Sequence, residues 1–336
     1  MNGRFQSLAV YVGLAAALCG TAITRMAAAA GPPSAPEPRT AIPRTPDGHP
    51  DLQGTWVNGT LTPFERPPQF AGKPYLTEAE AAAVERQASE RATNRSAPRD
   101  GDVGGDNEAF VDGDYKVTST RQSSLVMDPP DGRIAFRPEA EKRRQFNLTS
   151  MDDPETMSPW DRCISRSPTL MIGAGYNNGY QIVQTPKSIV LLAEMVHEAR
   201  VVPMDGRPHA DSRLRSWIGD ARGHWDGDTL VVDSTNFRDG LWISTQAVSG
   251  RLRGVPSTSQ LHLTERFTLK DSTTLLYELT VDDPPIYTRP FTIVVPFTRD
   301  DEYVIYEYAC HEGNQAIELF LRGARAEEKE AAGGKP

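Results

Sequence analysis

Between residues 180 and 310, apolar side chains recur at every second position in short runs, a period that commits this stretch to β-strands. The runs are 180–185, 188–196, 198–203, 228–235, 260–269, 274–282, 289–298 and 302–310. Thr185-Pro186-Lys187, Asp205-Gly206, Asp226-Gly227-Asp228, Lys270-Asp271-Ser272 and Arg299-Asp300-Asp301 separate them as turns. Short strands joined by tight turns pair antiparallel, so the expected fold class is mainly β, a barrel or a sandwich. A lipocalin- or calycin-like barrel is the favoured closure. No fixed-period repeat is present, which argues against a propeller.

Upstream of this core the patterning changes character. Arg4, the apolar stretch Leu8 to Ile23 and Ala28-Ala29-Ala30 form the three parts of a cleavable export signal over 1–30, with cleavage near Ala30. Ala16-Ala17-Leu18 before Cys19 fits a lipobox poorly, and the apolar run is short for a membrane span. Residues 31–50 are rich in proline and small side chains and read as a flexible lead-in. An irregular arm with a few strands is expected over 51–175. It holds a first strand at 51–57, a helix near 77–92 introduced by Thr77 and Glu80, and a Gly/Asp/Asn-rich loop over 93–116. A strand over 123–127, the turn Asp128-Pro129-Pro130-Asp131-Gly132 and a brief charged helix over 138–145 follow. The antiparallel core is assigned to 176–325 and a disordered tail to 326–336.

Five ionisable residues fall in the apolar register of the strands or at its ends. His197 continues the face of Ile189, Leu191, Ala193 and Met195, and Glu265 sits between Leu263 and Phe267. Arg289 leads Phe291 and Ile293, while Glu307 and His311 follow Tyr303 and Ile305. Unpaired burial of such groups is costly, so they either gather around a polar pocket or neutralise one another in the core. On the first alternative His197 or His311 acts as acid or base, Glu307 or Glu265 is the partner carboxylate, and Arg200 or Arg289 anchors the substrate. Tyr180 and Asn178, with Arg207 and His209 of the loop 202–209, are assigned to substrate binding. Tyr176, Tyr180, Trp217, Trp225, Trp242, Tyr306 and Tyr308 either line a pocket or fill the core.

Other chemistries lack their signatures. The chain has no His-x-x-x-His, Cys-x-x-Cys or Gly-x-Ser-x-Gly, and neither a P-loop nor a dinucleotide fingerprint. Gly219 to Asp228 lacks EF-hand spacing and reads as a hairpin turn rather than a calcium loop. No metal and no cofactor are expected.

The formal net charge of -9 becomes two units more negative once Arg4 and Arg25 leave with the signal, and no basic run exists to hold nucleic acid. Loss of Cys19 leaves Cys163 and Cys310, an even pair for which a disulfide is favoured over two free thiols in an oxidising compartment. The expected location is periplasmic or secreted, without stable membrane insertion, and the expected partner is a small organic molecule.

Five segments together resemble a family of secreted bacterial β-rich proteins to which no reaction is assigned. They are Pro46-Asp47-Gly48-His49-Pro50-Asp51-Leu52-Gln53-Gly54-Thr55-Trp56, Val126-Met127-Asp128-Pro129-Pro130-Asp131-Gly132-Arg133, Tyr176-Asn177-Asn178, Trp225-Asp226-Gly227-Asp228-Thr229-Leu230-Val231-Val232-Asp233 and Tyr306-Glu307-Tyr308-Ala309-Cys310-His311-Glu312-Gly313-Asn314. The resemblance implies a shared β-rich fold and export, and it transfers no catalytic residue. The function expected is a metal-independent acid–base enzyme, a lyase, isomerase or hydrolase. The alternatives are a non-catalytic ligand-binding barrel and a structural envelope protein.

Overall fold

The computed structural model describes residues 42–93, 115–150, 153–169, 171–173, 175–245 and 252–333. The signal expected over 1–30, Cys19, most of the lead-in and most of the loop 93–116 lie outside these residues. Ten strands form one antiparallel sheet: β1 Gly54–Val57, β2 Val126–Asp128, β3 Gly179–Gln184, β4 Ser188–Ala193, β5 Glu198–Pro203, β6 Asp220–Asp226, β7 Thr229–Thr235, β8 His262–Leu269, β9 Thr274–Asp282 and β10 Phe291–Arg299. Three α-helices accompany it: α1 Glu78–Thr93, α2 Pro138–Thr149 and α3 Ala316–Ala331.

The order across the sheet is β5-β4-β3-β1-β10-β9-β8-β7-β6, with β2 pairing β10. The end strands β5 and β6 approach each other, so the sheet curls into a nearly closed barrel. Gly223 of β6 makes that approach possible, because a Cβ there would lie 2.3 Å from Met204 Sδ and 2.9 Å from Val202 Cγ1. Alternation does what the sequence led us to expect. In β8, β9 and β10 every second side chain is buried, from Leu263 through Phe267, Tyr277 and Leu279 to Ile293 and Phe297. Trp56 of β1 is fully buried, and this first strand of the N-terminal region joins the barrel, bridging β3 and β10.

Three elements depart from expectation. Asp220–Asp226 is strand β6, paired residue for residue with β7. It reads as a turn because only Ala221 and Gly223 face inward and the rest of its side chains are polar or partly exposed. Residues 302–310 are irregular although Tyr303 and Ile305 alternate correctly, because β1 and β9 already occupy the two edges of β10. Residues 316–331, expected to straddle core and tail, form α3, whose Ala, Leu, Glu and Arg content favours helix.

Inside the barrel Arg200 of β5 reaches across to β8 and β9. Its Nη1 lies 2.7 Å from Glu265 Oε2, and its Nη2 donates to Glu265 Oε1 at 2.8 Å. The Tyr277 hydroxyl donates to the same Oε1 at 2.8 Å. Arg200 and Glu265 are 1% and 0% exposed, so the pair is sealed from solvent. Burial works against the Arg200 charge, but the Glu265 carboxylate outweighs it and holds the pKa above the ordinary arginine value. Burial, reinforced by the Glu265 charge, pushes the Tyr277 hydroxyl well above the ordinary phenol range, so it remains a donor.

Removing one partner strands the other charge, so Arg200→Met is expected to cost about 3–5 kcal/mol in urea unfolding. Arg200→Met combined with Glu265→Leu should recover most of that loss. A single-variant cost below about 1 kcal/mol would show that the charges are not buried against each other in solution.

Candidate functional site

The sequence-derived residues separate into four places. Arg200 and Glu265 meet in the barrel core. His197 does not join them: β4 ends at Ala193, Glu194 takes a helical conformation, and Val196 and His197 adopt positive φ of 66° and 53°, leaving the imidazole exposed. Arg289 is also exposed, with Nη2 3.7 Å from Asp128 Oδ1 at the mouth of β10. Glu307 and His311 lie exposed on the irregular segment after β10. The inward-facing carboxylate–imidazole–guanidinium pocket is therefore corrected to a carboxylate–guanidinium–phenol cluster in the core, with no imidazole.

The proposed binding residues are equally dispersed. Tyr180 is fully buried, its ring 5.3 Å from that of Phe297 and its hydroxyl accepting from Arg166 Nη1 at 2.9 Å. Asn178 is buried and donates to the Tyr115 hydroxyl. Arg207 is exposed and paired with Asp205. His209 lies between two carboxylates, Nδ1 3.0 Å from Asp220 Oδ2 and Nε2 2.8 Å from Asp233 Oδ1. His262 Nε2 is 2.6 Å from the other Asp233 oxygen. That bond holds Asp233 below and His262 above their ordinary pKa values. Among the described residues no group of three or more His, Cys, Asp or Glu converges to hold a metal ion.

One concave site lies where the segment after β10 crosses residues 158–176. Buried Glu194 fixes the beginning of the crossing. Its Oε2 accepts from the Tyr303 hydroxyl at 2.6 Å and its Oε1 from the Tyr306 amide at 3.2 Å. The Gly179 amide adds a bond to Oε2 at 3.2 Å, and a Cβ on Gly179 would strike Tyr303 Cε1 at 2.5 Å. The Cys163–Cys310 disulfide, with Cα atoms 5.6 Å apart, fixes the far end. Asn314 Nδ2 donates to the Asp161 carbonyl at 3.2 Å beside it.

Between these anchors is a cavity of about 430 Å³ lined by Trp160, Asp161, Tyr176, Glu307, Tyr308, residues 309–310, 312–314 and Ala316. This volume is in the range of small-molecule sites, about 300–1,000 Å³. Ser158 Oγ donates to Asp161 Oδ2 at 2.6 Å and orients that carboxylate. Burial, helped by a hydrogen bond to Tyr308, pushes the Tyr176 hydroxyl above the ordinary phenol range, so it keeps its proton. Trp160 Nε1 is shielded from solvent without a hydrogen-bond partner among the described residues. The side chains of Glu307 and Glu312 make no hydrogen bond or ion pair among them either. His311 does not line the cavity, although its two chain neighbours do.

Tyr176, Tyr308 and Glu307 stood out in the sequence; Trp160 and Asp161 did not. The signal was there in the cysteines. Once Cys163 and Cys310 are joined, residues two and three positions before each must lie within about 10 Å of the bond at ~3.5 Å per residue. Those positions are Trp160, Asp161, Glu307 and Tyr308.

A second titratable group lies nearby in the chain. Glu198 is largely buried at the start of β5 and accepts from Ser165 Oγ at 2.6 Å. Burial raises its pKa from 4.5 to about 7, more than the Ser165 bond and the Arg200 charge lower it.

Comparison with protein families, curated proteins and solved structures finds no match.

Because folded Glu198 holds its proton to about 7, the penalty for burying it is absent below the unfolded value of 4.5 and complete above about 7. Stability from this group therefore falls as pH rises through that window. Glu198→Gln should raise the melting temperature at about pH 8 and leave it nearly unchanged at about pH 4. Equal effects at both pH values in thermal unfolding would contradict the shift.

Proposed function

We propose that this chain is an exported small-molecule-handling protein whose ligand occupies the cavity beneath the disulfide-tethered segment after β10. The observation that carries the reading is the cavity itself: three aromatic residues and three carboxylates face about 430 Å³ of space between two fixed anchors. The barrel interior is a less suitable place, because Trp56, Tyr180, Phe267, Tyr277 and Phe297 occupy it and Arg200 and Glu265 neutralise each other there. Binding without turnover is the favoured form of the proposal. The lining combines aromatic rings with carboxylates, which can hold a ligand without a proton transfer. Export agrees with the disulfide, which persists in oxidising compartments.

Acid–base catalysis is the second reading, favoured by Glu198, whose carboxyl is poised at about 7. One experiment separates the two. The protein is equilibrated with a small-molecule extract, freed of unbound material by gel filtration, and the retained and depleted masses are measured. Retention of particular masses by the wild type, lost in Ala316→Trp and Ala309→Trp, is the outcome expected for cavity binding. Masses that vanish while new ones appear, with the change abolished by Glu198→Gln, would support catalysis instead. Equal retention by the wild type and both cavity-filling variants would overturn the assignment of the site.

A further inference from the structure

Resting on that reading of the cavity, we infer that its ligand is an organic cation, an ammonium group carried on an apolar or aromatic body. Charge is the first argument. Asp161, Glu307 and Glu312 line the space, and no Lys, Arg or His does so among the described residues. Among the described residues Glu307 and Glu312 have no side-chain partner, which leaves their charges to a ligand. An anion entering here would meet three carboxylates and no counter-charge.

The nearest buried guanidinium does not alter this. Arg166 is 1% exposed, and its two terminal nitrogens are occupied by the Tyr180 hydroxyl and the Ile172 carbonyl. Its charge reaches Tyr176, but it does not line the cavity.

The second argument is the aromatic wall. Trp160, Tyr176 and Tyr308 bring three electron-rich rings to one cavity. Ring faces attract cations, most strongly when the cation has left bulk water, and quaternary ammonium groups are recognised in this way. Tyr176 keeps its proton, so its ring acts as a neutral aromatic wall rather than as an anion. Carboxylates and aromatic rings in one lining supply the two kinds of contact that distinguish a cation from its uncharged analogue.

The test is isothermal titration of the full, disulfide-intact protein with phenyltrimethylammonium, benzyl alcohol and benzoate. Each titration is repeated with Ala316→Trp and with Glu307→Gln/Glu312→Gln. The cation is expected to bind at least about tenfold more tightly than the alcohol or benzoate, and more weakly as salt is added. The double glutamine variant should weaken the cation about tenfold and leave benzyl alcohol unchanged. Both glutamates are exposed and have no side-chain partner among the described residues, so the variant is expected to retain the fold. Benzoate or benzyl alcohol binding as tightly as the cation, with loss in Ala316→Trp, would overturn the cation assignment and leave the cavity reading in place. Unchanged cation affinity in the double variant would do the same. No probe binding, or binding unaffected by Ala316→Trp, would overturn both.

Discussion

The bond between Cys163 and Cys310 is the constraint on which the site depends. It joins positions 147 residues apart and holds an irregular, largely exposed segment that has no strand edge to pair with. In the chain-entropy treatment a closed loop of that length stabilises the folded state by about 5 kcal/mol. Its local consequence matters more for function. The bond brings Trp160 and Asp161 to Glu307 and Tyr308 without the tight packing of a core, leaving space between them. Glu194, buried and bonded to Tyr303 and to the Tyr306 amide, fixes the other end of the same crossing.

The barrel serves a different role. Its lumen is filled by large aromatic side chains and crossed by the Arg200–Glu265 pair, so it is a rigid scaffold rather than a container. A buried pair of this kind contributes little net stability against an apolar alternative, but it disfavours any arrangement that separates the two charges. The division of labour is a common one: the sheet supplies position, and the loops at its margin supply the site.

The fold was legible because alternation is a local property. Leu263-x-Glu265-x-Phe267 announces its inward face directly, and Glu265 is buried there with Arg200 as its counter-charge. The site was less legible because register extrapolates only as far as the strand continues. His197 follows Met195 in the pattern, but β4 ends at Ala193 where Glu194 turns helical, two left-handed residues follow, and no local composition rule signals that break. Tyr303-Val304-Ile305 satisfies the same pattern and still forms no strand, since pairing needs a free edge and β10 has none to offer. β6 was missed for the opposite reason: it pairs throughout with β7 while carrying few apolar side chains. The cavity belongs to a third class, set by a cross-link between remote positions, and only the pairing of the cysteines foretells it.

A crystal structure of the oxidised protein grown with an excess of phenyltrimethylammonium tests the central claim most directly. The account predicts an open space between Trp160 and Tyr308, bridged by the Cys163–Cys310 bond, with the ammonium group facing Glu307 and Glu312. Glu307 and Tyr308 collapsed onto Trp160 with no room between them, or the cation bound elsewhere on the molecule, would contradict it.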